Sequence, residues 1–218
     1  MMSLIPQFFG KMLRRGPSRL ANFEVSFPGW EEVERKRDFV VWRNQAGDVL
    51  SLAAIDEPGA WSNASDTDAV RNLARAHAEE CGAGLVEASI VSPSDPRIVS
   101  FIYKKLVGTG FRFNGIQIVI SKPFSWIWTV VDQEKGTTGV REAVVTDRMI
   151  GEGSLTLESY ESDWARDPYY PDYVGVDRRN LRYISDDPKY DGQFPHHPLA
   201  MIRRRFGDLK DIRVNVSL

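Results

Sequence analysis

The sequence predicts an α+β fold: an antiparallel sheet of about six or seven strands with helices packed on it, followed by an irregular C-terminal extension. Three observations carry this. Residues 97–133, RIVSFIYKKLVGTGFRFNGIQIVISKPFSWIWTVVDQ, are nearly all β-branched, aromatic or otherwise apolar, broken by glycine and proline. Residues 66–81 carry the clearest helical stripe in the chain. After Gly151-Glu152-Gly153 the composition turns tyrosine- and proline-rich. The chain therefore divides into an N-terminal amphipathic segment 1–21, an α+β core 22–150, and an extension 151–218 that packs on the core.

In the long apolar stretch, Val99, Phe101, Tyr103 and Val107 fall on one face of a strand and Ile98, Ile102 and Leu106 on the other. Gly108-Thr109-Gly110 signals a turn. Ile116, Ile118 and Ile120 then keep phase, Lys122-Pro123 breaks the run, and Phe124, Trp126, Trp128 and Val130 alternate again. The pattern predicts a three-strand antiparallel meander. Asn114-Gly115 offers a rival type I′ hairpin turn with a different register. The meander is favoured because the rival leaves Gly108 and Gly110 inside a strand, where glycine is costly.

Taken from the start, segment 1–21 has Lys11, Arg14, Arg15 and Arg19, no acid, and Ile5, Phe8, Phe9, Met12 and Leu13 at helical spacing. A short helix packing on the sheet is favoured over a membrane-surface helix, because there is one short stripe. Phe23, Val25 and Phe27 alternate as a strand that ends at Pro28-Gly29. The mixed charges of 31–37 read as a solvated loop or helical turn. Residues 38–43 and 48–55 read as a hairpin around Asn44-Gln45-Ala46-Gly47. In the helix at 66–81, Ala69, Val70, Leu73, Ala74, His77, Ala78 and Cys81 share the inward face. Ser65 or Asp66 caps its start, and Gly82 or Gly84 ends it. Residues 85–91 make a short strand before the meander, and Val140, Ala143 and Val144 start a helix running to about Ile150, with a strand as the alternative that the β-branched pair Val144-Val145 leaves open. Pro198 opens the last helix, with Leu199, Ile202, Phe206 and Leu209 inward, and Ile212, Val214 and Val216 alternate as a final strand. Phe23, Val25, Leu73, Ala74, Phe101, Ile118, Trp126 and Trp128 are the expected core.

The order strand, strand pair, helix, meander, helix over residues 22–150, with the Phe27-Pro28-Gly29-Trp30 opening and the Glu134–Ala143 stretch, resembles the PsbP-like superfamily. The resemblance implies an α/β/α sandwich around a curved antiparallel sheet and an accessory or binding role. Photosynthetic members are exported to the thylakoid lumen, whereas a transit peptide is not recognisable here. None of the family's functional residues can be matched to positions in this sequence.

With 218 residues, 42% hydrophobic and 27% charged, the composition is that of a globular protein. A formal net charge of -2 gives no reason to expect nucleic acid or an acidic membrane as partner. The single cysteine, Cys81, permits no internal disulfide, and no secretory signal is recognisable, so a cytoplasmic location is expected.

Chemistry is sparse. P-loop, dinucleotide, nucleophile-elbow and two-cysteine metal motifs are absent from the sequence. His77 and Cys81, four apart on the apolar stripe, read as core residues rather than ligands. A calcium loop at 187–198 fails on Lys189 and Pro198. No catalytic residue, metal or cofactor is assigned. Two sets of binding residues remain. His196 and His197, between Pro195 and Pro198, offer a base or ligand with Asp187 and Asp191 upstream, set against a turn-and-cap role. Trp164, Tyr169, Tyr170 and Tyr173 lie in the stretch 158–191, which holds nine acids against five bases. Aromatics among acids suit an interface with a basic protein, set against rings that staple a loop to the sheet. The expected function is therefore a non-catalytic interaction or accessory protein. The alternative is a small-molecule binder or enzyme with a pocket between sheet and extension. A polar cleft holding one histidine beside Asp187 or Asp191 would favour the alternative; a shallow aromatic surface would favour the first reading.

Overall fold

The computed structural model describes residues 20, 23, 25–122 and 124–209. The amphipathic helix expected in 1–21 and the last strand expected at 212–216 lie outside the described residues, apart from Leu20. Seven strands, β1 (Trp30–Lys36), β2 (Phe39–Asn44), β3 (Val49–Ile55), β4 (Gly84–Ser92), β5 (Arg97–Val107), β6 (Gly110–Ile120) and β7 (Ser125–Gln133), form one sheet. Their order is β1-β2-β3-β7-β6-β5-β4, and every neighbouring pair is antiparallel. The expected class, an antiparallel α+β sheet flanked by helices, is the observed one.

The meander is the observed register. Val107 lies opposite Gly110, and Gly108 holds φ at +65°, which suits glycine in a two-residue turn. Asn114 and Gly115 sit in mid-strand opposite Tyr103 and Ile102. Glycine is required there for a reason remote in sequence. A Cβ at Gly115 would lie 2.4 Å from Ile202 Cγ2 and 2.7 Å from Phe206 Cζ, so its absence lets the last helix seat on the sheet.

Two expectations near the start are corrected. Phe23, Val25 and Phe27 form no strand among the described residues. Phe23 and Phe27 are instead buried against Trp128, with Phe27 also edge-on to Trp42. The charge run expected as a loop is edge strand β1, bulged between Glu32 and Glu34. An edge strand has one ladder open to water, and charges with a bulge protect it from pairing with another chain. Polar composition is therefore a poor guide at that position.

α1 (Ala60–Asn63) and α2 (Thr67–Glu80) lie on one face of the sheet. Asp66 caps α2 by accepting from the Ala69 N–H at 2.8 Å. The innermost line of α2 is Val70, Ala74 and Ala78, whose small side chains allow close packing on β4 and β5. Leu73 and Val25, expected in the core, are half-buried, so Leu73→Ala removes less buried surface than a core leucine would. Phe101 and Ile118 are buried with α2; Trp126 and Trp128 are buried on the opposite face. That second face is covered by α5 (Pro198–Leu209) through Leu199, Ile202, Phe206 and Leu209. The tryptophans are core packing under a helix, with no ligand cavity required to explain them.

His77 packs edge-on to Phe101 and Tyr103, with Nε2 4.0 Å from Cys81 Sγ. Burial holds its imidazole below the ordinary 6.5, against an opposing pull from Glu80, and burial pushes the Cys81 thiol up. The unfolded chain therefore takes up a proton that the folded chain resists. His77 costs no stability above pH 6.5, and stability falls as pH drops below it. His77→Asn should flatten the pH dependence of the denaturation midpoint between about pH 7 and pH 5. An unchanged slope would mean that His77 is not the group responsible.

Candidate functional site

Beyond β7 the chain forms α3 (Val140–Gly151), α4 (Leu157–Asp163), a two-stranded ribbon of β8 (Ala165–Arg166) and β9 (Arg182–Tyr183), and three 3-10 turns before α5. α4 is capped reciprocally by Thr156 and Ser159, a regular element inside chain expected to be irregular. A cleft of about 570 Å³ opens between the end of the sheet at Asp48 and Asp132, the start of α3, and the loop leading into α5. Such a volume lies in the range of ligand pockets.

Each polar wall residue is held by its own local structure. Asp48 closes the β2–β3 turn, donating its N–H to Asn44 Oδ1 at 2.9 Å and accepting from Asn44 Nδ2 at 2.7 Å. Its carboxylate also takes the Lys135 ammonium. Burial, then the neighbouring Asp48 carboxylate, pushes Asp132 up to about 7. Burial also pushes Asp48 up, but contacts with Asp132, Lys135 and Asn44 outweigh it and leave its pKa lowered. Glu134 accepts from the Phe111 N–H at 2.7 Å and the Gly139 N–H at 3.1 Å, tying the strand-to-helix connection to β6. Burial pushes Glu134 up, yet His197 and these two N–H groups pull it below its ordinary value.

His197 precedes α5 and caps it: the Leu199 N–H donates to Nδ1 at 3.2 Å. The neutral ring therefore carries its proton on Nε2. That nitrogen lies 3.7 Å from Glu134 Oε1, and the ring stands edge-on to Phe113. Glu142, in the first turn of α3, completes the group; ligand atoms of Glu134, Glu142 and His197 all lie within 4.8 Å of one another. Burial, then the Asp186 charge, pushes the Glu142 carboxyl up.

Behind this group a charged network fastens the C-terminal segment. Lys104 and Asp186 pair at 2.6 Å with both side chains fully buried. Arg141 donates to the Ser185 and Asp187 carbonyls and pairs with Asp191. Arg203 bridges Glu87 and Asp191.

Of the two histidines expected at a site, His197 is in the cleft wall and His196 is exposed at its mouth. The acid beside His197 is Glu134, not Asp187 or Asp191. Asp191 is taken by Arg141 and Arg203, and Asp187 accepts from the Lys189 N–H and faces Arg182. Sequence reasoning does not find Glu134 and Glu142, because they reach His197 only through the fold; no local spacing links them.

The four aromatic candidates all pack against other parts of the chain. Trp164 is buried and stacks on Tyr160. The Tyr169 hydroxyl accepts from the Ala88 N–H and donates to the Ala88 carbonyl, occupying the open edge of β4. Arg71 lies over the Tyr169 ring and Arg75 over the Tyr170 ring, while Tyr170 donates to Asn72. Tyr173 is half-buried, and Tyr170 is the one of the four that keeps a large exposed surface, 40%.

No protein family profile matches the chain, and no curated protein matches it. Among solved structures it is similar to the Saccharomyces cerevisiae Ran-binding protein Mog1p, at 7% identity and a TM-score of 0.38, over 55% of this chain and 74% of that one. A mutant of protein Mog1 is similar at 7% identity and a TM-score of 0.35, over 50% of this chain and 70% of that one. Among the described residues no helix is long and apolar enough to cross a membrane.

Proposed function

We propose that the protein acts by binding another protein, which inserts a basic side chain into the cleft beside Asp48 and Asp132. The observation that carries this reading is a cleft walled by carboxylates that are already fixed in place. Asp48, Asp132 and Glu134 face it against Lys135, while the charge of Arg141 is matched by Asp191. Preformed walls cost little ordering on association, and an acidic recess favours a cationic group. An accessory role of this kind is also what the PsbP-like resemblance implies. A second reading, a small polar molecule in the same cleft, draws on His197 and Glu134 as a buried donor and acceptor pair.

The test blocks the cleft at its mouth and, separately, reverses one charge in its wall. Ala46 lies exposed in the β2–β3 turn and lines the cleft mouth, so Ala46→Trp should plug it while leaving the fold intact. Affinity capture from native lysate, followed by mass spectrometry, should yield a protein that binds the parent. Its affinity should fall at least about tenfold with Ala46→Trp and with Asp132→Lys, and stay unchanged with Tyr170→Ala. Equal binding by both cleft variants would refute the reading. Loss with Tyr170→Ala alone would move the interface to the aromatic loop.

A further inference from the structure

We infer that a site for a divalent first-row transition ion lies behind the cleft wall formed by Glu134 and His197, held by these two residues and the enclosed Glu142. The three come from the β7–α3 connection, the first turn of α3 and the start of α5. Their side chains are deeply placed: Glu134 and His197 are 6% and 8% exposed. Buried acids ordinarily find donors. Here neither oxygen of Glu142 meets a donor from another residue, and His197 Nε2 faces Glu134 Oε1 at 3.7 Å, beyond hydrogen-bond length.

The charges point the same way. Glu134, Glu142 and Asp186 are three buried carboxylates, and Lys104 is the cation among them, paired with Asp186. Two carboxylates are left over, which one divalent ion balances. Two carboxylates and an imidazole suit zinc or manganese better than calcium, whose sites use oxygen ligands throughout.

Geometry requires a modest closure. An ion bonded at about 2.0–2.2 Å brings its ligand atoms to roughly 3–4 Å from one another. His197 Nε2 and Glu134 Oε1 already stand 3.7 Å apart. Glu142, with no bonds to lose, can close the remainder. Each Glu134 oxygen accepts one N–H and keeps a second lone pair. Ligation through Nε2 needs that nitrogen without its proton, so the ring proton moves to Nδ1. The Leu199 N–H then loses its acceptor. Ion binding thus exchanges one helix-cap hydrogen bond for a metal bond, and it should alter the first turn of α5.

The ion site does not depend on whether a protein occupies the cleft, and its test uses the chain alone. The full chain, stripped with a chelator, is titrated with zinc by calorimetry, with magnesium and calcium as separate arms. One zinc per chain is expected, with magnesium and calcium at least about tenfold weaker. Glu142→Gln should weaken zinc at least about tenfold without lowering the melting temperature in chelator, since it removes a buried carboxylate that has no donor. His197→Asn keeps a residue able to cap α5 and removes the imidazole, so it should change the visible spectrum of the cobalt-loaded protein. Absence of stoichiometric binding would overturn the inference. So would zinc bound equally well by both variants, which would place the ion elsewhere, for instance at His77 and Cys81.

Discussion

Asp186→Ala should lower stability by on the order of 3–5 kcal/mol, because it leaves the Lys104 ammonium buried without its partner. Lys104 projects from β5, and Asp186 ends a 3-10 turn in the C-terminal segment, so their 2.6 Å contact joins parts of the chain far apart in sequence. Tyr183 covers the ammonium, with Nζ 3.4 Å from its ring centroid, and also donates its N–H to Asp186 at 2.8 Å. Burial pushes the Asp186 carboxyl up, but the Lys104 charge and the Tyr183 N–H more than offset this and hold it below the ordinary 3.8. The stabilisation is therefore fully present above pH 3.8 and is lost as pH falls below that value. Lys104→Met combined with Asp186→Ala should recover much of the loss, since no unpaired charge then remains. Chemical denaturation of the three variants decides the matter. A double variant no more stable than the single one would show that the cost comes from lost packing.

Trp128→Ala should cost on the order of 3–5 kcal/mol through lost apolar burial and the cavity left behind. Trp128 is 1% exposed on β7, and the rings of Phe23, Phe27 and Trp42 each lie 6.1 Å from it, centroid to centroid. It belongs to the same buried cluster as Leu199 and Ile202 of α5, so the void would open between sheet and helix. Urea denaturation should show a lower midpoint with an unchanged slope, as expected for altered stability without altered compactness. A small loss of stability would indicate that the site collapses around the missing ring.

The periodic elements are legible in the amino-acid sequence. Alternation over residues 97–133 specifies the meander because a strand buried on both faces must present apolar side chains to each. The stripe and Asp66 cap specify α2, and the spacing of Leu199, Ile202, Phe206 and Leu209 specifies the buried face of α5. These signals are local, repeating every two or about 3.6 residues. β1 is not legible in the same way, because its residues answer to an open sheet edge and to water, not to a core.

The class of fold, the meander and the inward faces of the two principal helices follow from the amino-acid sequence, since each rests on periodicity within one segment. Tertiary structure alone decided the rest. Gly115 is explained by Ile202 and Phe206, and Lys104 by Asp186. His197 acquires chemical meaning only beside Glu134 and Glu142, which α3 and the β7 connection carry to it. A carboxylate's role depends on which charge or N–H group stands within a few ångströms of it, and that distance is set by the path of the chain through space.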